Sequence, residues 1–138
     1  MNYALKDSIA YRLIRGANSV NKTLNKKLCS YEIAIEQRAT LEIIKYEEDV
    51  NQTRIATLLG KDTATISRSL DSLEKKGLVS KSEQSGDRRS KKVEITKKGE
   101  SVLEETLLEV GSYRESLNSK LTQDEIEAFF KIMNKLEL

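Results

Sequence analysis

Two short amphipathic segments on either side of Gly60-Lys61-Asp62 constrain the fold of this chain more than any other feature. Asn51 is suited to begin the first segment and Gly60 to end it, because asparagine caps helix N-termini and glycine readily adopts the left-handed conformation that follows a helix. Asp62 or Thr63 is suited to cap the second segment. Two short helices joined by a tight turn are typical of a helix-turn-helix.

The second segment, residues 63–76, is predicted to be a reading helix, a helix held in the major groove of DNA. Ile66, Leu70 and Leu73 recur at helical spacing and must face the core. The opposite face then carries Ala64, Ser67, Arg68, Asp71 and Lys75, with Thr65 and Ser72 on its flank. Arg68 has the reach for a bidentate contact with guanine. The predicted DNA-contacting residues of this helix are Thr63, Ala64, Thr65, Ser67, Arg68 and Lys75.

A basic hairpin follows the reading helix. Gly77 ends the helix, and Leu78-Val79 and Val93-Glu94-Ile95 are predicted to be two short strands joined by residues 82–92. Gly86-Asp87 supplies turn residues at the tip. Positive charge is concentrated at Arg88, Arg89, Lys91 and Lys92, where a narrow DNA minor groove would attract it. Taken alone, such a charge run more often marks a solvated loop.

The net charge of +2 hides an uneven distribution along the chain. Residues 51–92 contain ten lysine or arginine residues and five acidic ones, a local excess of +5, so the remainder carries −3. A basic centre between acidic arms is expected when one face of a protein meets phosphates and the other does not. The charge distribution therefore favours a nucleic-acid partner.

Long amphipathic segments flank this centre. Apolar residues three or four apart predict a long first helix over residues 5–28. A second helix is predicted from about Tyr31 to Tyr46, with its inward face at Ile33, Ala34, Leu41 and Ile44.

Thr96 is suited to cap a fifth helix that ends near Leu117, with its apolar side at Val102, Leu103, Leu107 and Val110. Thr122-Gln123-Asp124-Glu125 fits a capping box for a sixth, with its apolar side at Ile126, Phe129, Phe130, Met133 and Leu136.

The first, fifth and sixth helices offer more apolar surface than one small lobe can cover, so we expect a homodimer built from the two ends of the chain. A twofold dimer also sets two reading helices about one DNA turn apart. The predicted fold is mainly α with a small β-hairpin wing, a winged helix-turn-helix of six helices. One domain would span residues 1–138, with a dimerisation region at 1–30 and 100–138 and a DNA-binding lobe at 31–99.

Composition excludes several classes of function. Histidine is absent and Cys29 is the single cysteine, which excludes an internal disulfide, a cysteine–histidine zinc cluster and a histidine-based triad. We find no nucleophile paired with a base and no glycine-rich phosphate loop, so we expect neither enzymatic activity nor a cofactor. The chain has no signal-peptide pattern and no apolar segment long enough to cross a bilayer, so we expect a cytoplasmic protein without a membrane partner.

Cys29 is expected to be a partly buried, unreactive thiol, because free cysteine usually packs as a small apolar residue. A redox-sensing role is the alternative, since Lys26 and Lys27 would favour a reactive thiolate.

Several short motifs occur together along the chain. They are Gln52-Thr53, Ile55-Ala56, Asp62, Ala64-Thr65-Ile66-Ser67-Arg68, Leu70-Asp71, Leu73-Glu74-Lys75-Lys76-Gly77-Leu78-Val79, Asp87-Arg88-Arg89, Ile95-Thr96 and Gly99. The most discriminating is an Asp-x-Arg wing followed by a strand and Thr-x-x-Gly. In these motifs, and in helix order over nearly its whole length, the chain resembles the MarR family of transcriptional regulators.

The resemblance implies a dimer that binds palindromic promoter DNA and usually represses, until a small phenolic or lipophilic effector binds or a cysteine is oxidised. It implies that Arg89 enters the minor groove, that Asp87 holds the wing in shape, and that Arg68 is the reading arginine. The redox-sensing branch carries its cysteine where this chain has Ala10. Tyr11, Tyr31 and Tyr46 lie near the expected effector junction, but none is assigned to a ligand.

The leading hypothesis is a sequence-specific, homodimeric repressor of double-stranded DNA. One alternative is a winged-helix protein-interaction module whose basic wing meets an acidic partner, because a fold does not fix function. Another is a low-specificity architectural DNA binder, which would show a specificity ratio near unity. Selection from a randomised DNA pool distinguishes the interaction module from the two DNA-binding hypotheses, since the module would enrich no DNA.

Overall fold

The computed structural model describes residues 4–83 and 91–138, with only the backbone of Glu83 and Lys91. Within these residues the chain forms six α-helices and a two-stranded antiparallel sheet, which confirms the mainly α fold with a β-hairpin. The elements are α1 (Ile9–Leu28), α2 (Ile35–Tyr46), α3 (Gln52–Leu59), α4 (Thr63–Lys75), β1 (Val79–Glu83), β2 (Lys91–Ile95), α5 (Lys97–Asn118) and α6 (Gln123–Lys135).

The chain divides into two compact units, Met1–Thr106 and Leu107–Leu138. The first unit contains the helix-turn-helix, the hairpin and most of the buried apolar residues. The predicted division into a lobe at 31–99 and a dimerisation region at 1–30 and 100–138 stays a prediction.

Helices α3 and α4 begin and end close to where the sequence predicted. The side chain of Asn51 accepts a hydrogen bond from the N–H of Arg54 at 2.8 Å, and Gly60 ends α3 with a φ of 63°. Asp62 caps α4 by accepting from the N–H of Thr65 at 2.6 Å. The buried residues of α4 are Ile66, Leu70 and Leu73, as predicted.

Helix α2 begins about four residues later than predicted. Residues Cys29–Tyr31 form a 3-10 turn, and Glu32 follows in the left-handed conformation with a φ of 55°. The carbonyl oxygen of Glu32 accepts from Nζ of Lys76 at 2.6 Å, and the N–H of Ile35 donates to Oδ1 of Asn25 at 2.7 Å. Contacts with α4 and α1 therefore fix the start of α2, and no local sequence pattern encodes them.

The predicted inward faces of the first two helices are partly right. Ile33, Leu41 and Ile44 are buried, but Ala34 is exposed. Helix α1 starts at Ile9 because Leu5–Asp7 forms a separate 3-10 helix. The apolar stripe of α1 is buried at Leu24 and Leu28, whereas Leu5 and Ile9 are exposed.

A tight junction joins the end of α4, the base of the hairpin and α5. Thr96 donates its hydroxyl to the carbonyl oxygen of Gly77 at 2.6 Å and its N–H to that of Leu78 at 3.1 Å. The same hydroxyl accepts from the N–H of Gly99 at 3.1 Å, which caps α5 as predicted. A Cβ on Gly99 would lie 2.2 Å from the carbonyl oxygen of Leu78, so a larger residue cannot fit without displacing the backbone.

Arg38 of α2 is buried, with 1% of its surface exposed. Its Nε donates to Oγ1 of Thr106 at 2.7 Å, its Nη2 donates to the carbonyl oxygen of Leu103 at 3.2 Å, and its Nη1 pairs with Glu42. A buried charge is tolerated only when it is paired and hydrogen-bonded, and Arg38 meets both conditions. The guanidinium therefore fastens α2 to the first part of α5.

Helices α5 and α6 agree with their predicted ends. Helix α5 continues through Gly111, and Thr122 and Glu125 form the predicted capping box at the start of α6, with hydrogen bonds of 2.8 and 3.2 Å. Leu103 and Val110 of α5 are buried, but Leu107 is exposed. Most of the apolar residues of α6 are exposed rather than packed. None of the helices described is both long and apolar enough to cross a membrane.

We predict that Gly99→Ala destabilises the protein by about 1–3 kcal/mol, because the added methyl group forces the Leu78 carbonyl and α5 apart. The matched control is Gly16→Ala, where a Cβ would meet nothing within 4 Å, and which should stabilise α1 by about 0.5–1 kcal/mol. Denaturant unfolding of both variants gives the comparison. Equal effects of the two substitutions would contradict the close approach at Gly99.

We predict that Arg38→Ala lowers the free energy of unfolding by about 3 kcal/mol or more, because it opens a cavity and removes the buried hydrogen bonds from the guanidinium to Thr106 and Leu103. Arg54→Ala is the control. Its pair with Glu47 spans 3.6 Å between side chains that are 50% and 41% exposed, so it should cost less than about 1 kcal/mol. Chemical denaturation measures both free energies of unfolding. Similar losses in the two variants would show that the buried contacts of Arg38 stabilise the fold no more than an exposed ion pair does.

Candidate nucleic-acid interface

The outward face of α4 is polar and accessible. Ala64, Arg68, Asp71 and Lys75 are exposed, while Thr65, Ser67 and Ser72 are half-buried on its edges. Nη2 of Arg68 donates to Oγ1 of Thr65 at 3.4 Å, so the guanidinium lies back toward the start of the helix. Small side chains at that end allow a helix to approach base edges closely. The predicted orientation of the reading helix is therefore confirmed.

The predicted contact residues of α4 occupy a strip along the whole helix. Thr63 and Ala64 stand at its start, where Nε2 of Gln52 donates to the carbonyl oxygen of Thr63 at 2.8 Å and ties α4 to α3. Lys75 is the last residue of α4, about 18 Å further along the axis at 1.5 Å per residue. Lys75 is thus separated from the others, at the end of α4 that adjoins the hairpin.

Asp62 brings negative charge to the start of α4. Its carboxylate accepts from the backbone N–H of Thr65, and the hydrogen bonds with the backbone and side chain of Thr65 hold the pKa of Asp62 below its usual value. The positive charges of Arg68 and Lys61 lower this pKa further. The ionised form is therefore the one that caps the helix.

The base of the predicted wing is anchored to α4. Strands β1 and β2 pair antiparallel, with Val79 opposite Ile95. Lys81 of β1 forms an ion pair with Asp71 of α4, which the sequence had placed on the outward face. Lys92 and Glu94 pair on β2 at 3.2 Å. The hairpin thus leaves the lobe from a position fixed relative to the reading helix.

The predicted contacts at the wing tip, Asp87, Arg88 and Arg89, lie outside the described residues, and Lys91 is described only by its backbone in β2. Their roles stay predictions.

Several features near α4 were not predicted from the sequence. Lys61 pairs with Glu36 at 3.5 Å, and an open groove of about 710 Å³ lies between α1, the start of α2 and α4. The groove brings together residues that are tens of positions apart, so no short motif could have shown it. None of the tyrosines considered for an effector lines it, and Tyr46 is 75% exposed.

Cys29 is exposed, which contradicts the expected partial burial. It follows α1 directly and begins the 3-10 turn, where its side chain is not enclosed. No group of three or more potential metal ligands occurs among the residues whose positions are described.

We predict that the stabilising effect of Asp62 over an uncharged cap disappears in acid. The pKa of Asp62 is lower in the folded state than in the unfolded state. The stability that its ionised carboxylate contributes is therefore complete above the unfolded-state pKa and is lost as the pH falls through the folded-state pKa. Asp62→Asn keeps a capping acceptor but does not titrate. Thermal midpoints of the two proteins, measured from about pH 7 to about pH 2, should therefore converge. A constant difference over this range would contradict the assignment.

Comparison with known proteins agrees with this geometry. The MarR family model matches residues 33–91. The MepR–DNA complex of S. aureus is similar with a TM-score of 0.85 and 24% identity, covering 94% of this chain and 96% of that one. The transcriptional repressor CouR, bound to a 23-mer DNA duplex, has a TM-score of 0.84 and 25% identity, covering 99% and 96%. PcaV of Streptomyces coelicolor has a TM-score of 0.87 and 20% identity, covering 99% and 96%.

The family match includes α2, α3, α4 and β1. It therefore contains the outward face of α4. The shared fold extends over nearly the whole chain. Residues 33–91 therefore match the MarR family of transcriptional regulators, and over nearly its whole length the chain has the fold of DNA-binding proteins such as MepR and CouR.

Proposed function

We propose that this protein is a homodimeric repressor that binds palindromic promoter sites and releases them in response to a small-molecule or oxidative signal. The observation that carries the proposal is the exposed polar face of α4, which presents Arg68 beside a hairpin anchored through Lys81. A helix held in this way can enter the major groove while the basic wing follows the adjacent minor groove.

Sequence specificity is assigned to Arg68. Its guanidinium is exposed and can present two donors to the N7 and O6 acceptors of guanine. Thr63, Thr65 and Ser67 contribute hydroxyl contacts, and Lys75 meets phosphates at the other end of the helix. Arg89 and the neighbouring basic residues of the wing provide contacts that depend less on sequence.

Exposed apolar residues support the dimer. In the unit Leu107–Leu138, Phe129 and Phe130 are 51% and 60% exposed, and their rings touch edge-on with centroids 6.0 Å apart. In α1, Ile9 and Ile14 are 63% and 62% exposed. Contiguous patches of large exposed apolar residues usually mark an interaction site. A twofold interface would pair two reading helices, and palindromic sites follow from that symmetry.

Release by a small molecule is supported by the neighbouring structures. CouR of Rhodococcus jostii is found with p-coumaroyl-CoA, and PcaV with its natural ligand. Both are similar to this chain over nearly its whole length. The exposure of Cys29 leaves the oxidative route available as the second signal.

We predict that Arg68→Ala and Arg89→Ala weaken DNA binding in different ways. Arg68→Ala should cost about 1–3 kcal/mol on a selected site and relax the sequence preference, because it removes a base contact. Arg89→Ala should weaken binding with less effect on preference and reduce the slope of log affinity against log salt by about 1. Duplexes selected from a randomised pool, titrated at several salt concentrations beside scrambled duplexes, measure both effects.

The control for this experiment is Lys45→Ala, which removes a cation at the far end of α2 and should leave DNA affinity unchanged. Identical losses on selected and scrambled duplexes for both arginine variants would contradict the division of roles. An affinity indifferent to salt, or failure to enrich any DNA, would contradict the proposed function itself.

A further inference from the structure

Helix α1 carries positive charge that no acidic residue balances. Residues 8–31 contain no aspartate or glutamate, although acidic residues make up 22 of the 138 in the chain. The same stretch contains five cations, all exposed: Arg12, Arg15, Lys22, Lys26 and Lys27. None of the five forms an ion pair with an acidic side chain that the structure describes. A solvated helix face usually carries charges of both signs, so the one-sided charge of α1 indicates an anionic partner outside the chain.

Four of these cations share one face of the helix and form the α1 stripe: Arg12, Arg15, Lys22 and Lys26. At 100° per residue they fall within an arc of about 80°, whereas Lys27 lies about 100° from Lys26 and outside that arc. The buried residues of α1, Leu24 and Leu28, lie on the opposite side of the helix. At 1.5 Å per residue the α1 stripe is about 21 Å long, which is the axial length of about six base pairs.

The α1 stripe borders the surface that presents the reading helix. Asn25 of α1 and Arg68 of α4 line the same open groove. Around α1, Asn25 lies about 60° from the buried Leu28, and Lys22 lies about 60° further in the same direction. Lys22 and Lys26 therefore stand on the solvent side of the α1 wall of this groove, while Arg68 belongs to its α4 wall. An extended polyanion that reaches Arg68 can continue onto the α1 stripe.

The α1 stripe lacks the features that membranes and proteins require of a basic helix. A helix that lies on a membrane needs an apolar face free to enter the lipid, but Leu24 and Leu28 are buried within the protein. A protein interface is usually centred on aromatic or arginine anchors in a desolvated pocket, whereas the centre of the α1 stripe is the exposed residue Ser19. Exposed cations around a hydroxyl suit the phosphate backbone of DNA, to which arginine, lysine and serine all donate.

We propose that the α1 stripe binds the phosphate backbone of the same DNA duplex that α4 reads, and so extends the DNA contact beyond the helix-turn-helix and the wing. The inference rests on the proposed function, because it assigns further contacts to the same DNA. These contacts supply affinity and salt dependence but no choice of sequence, since every duplex presents the same phosphates.

The test compares Lys22→Gln/Lys26→Gln with the wild type on a selected duplex titrated at several salt concentrations. Loss of two phosphate contacts should reduce the slope of log affinity against log salt by about 2 per chain. The affinity for a scrambled duplex should fall by the same factor, because these contacts do not read bases. Hydroxyl-radical footprints of the selected duplex should lose protection at backbone positions that Arg68→Ala leaves protected.

Lys27→Gln is the matched control. It removes one positive charge from the position next to Lys26 on the same helix but outside the α1 stripe, so it should leave the slope and the footprint nearly unchanged. Lys22→Arg/Lys26→Arg keeps both charges and should keep the wild-type slope. All the substituted side chains are exposed, and thermal unfolding followed by circular dichroism verifies that each variant folds.

An unchanged slope in Lys22→Gln/Lys26→Gln, or an equal reduction per charge in Lys27→Gln, would overturn the proposal and leave the proposed function intact. With the slope on a single duplex unchanged, three other losses in the double variant would assign the α1 stripe elsewhere and also overturn the proposal. Loss of binding to phosphatidylglycerol vesicles would indicate a membrane surface, loss of binding to polyglutamate an acidic protein, and loss of bridging between two labelled duplexes a second DNA molecule. A wild-type protein that enriches no DNA would overturn both this proposal and the proposed function.

Discussion

The close contact between Gly99 and the carbonyl oxygen of Leu78 is the constraint on which the arrangement of the lobe depends. A Cβ at residue 99 would lie 2.2 Å from this oxygen, so only glycine lets α5 start directly against the backbone that follows α4. The hydroxyl of Thr96 then bonds to Gly77 and Gly99 while its backbone N–H donates to Leu78, so one residue joins the end of α4, the hairpin and α5. In this chain the Thr96-x-x-Gly99 motif therefore fixes how β2 and α5 meet the end of α4.

Polar contacts over long sequence separations hold the rest of the lobe around this junction. Lys76 reaches 44 positions back to the carbonyl oxygen of Glu32, and Arg38 reaches 68 positions forward to Thr106. The first contact ties the end of the reading helix to the turn before α2, and the second ties α2 to α5. Together the two contacts hold α2 and the turn before it between the end of α4 and the first part of α5.

The sequence predicted the features that depend on neighbouring residues. The caps at Asn51, Asp62 and Thr122, the glycine end of α3 and the inward stripe of α4 were all correct, because each depends on a few consecutive side chains and the helical period. The late start of α2, the exposure of Cys29 and Ala34, and the ion pair between Asp71 and Lys81 were missed. Each of these is decided by a partner or by open solvent that the local pattern does not contain. For the same reason the outward face of α4 was predicted, but the groove beside it was not.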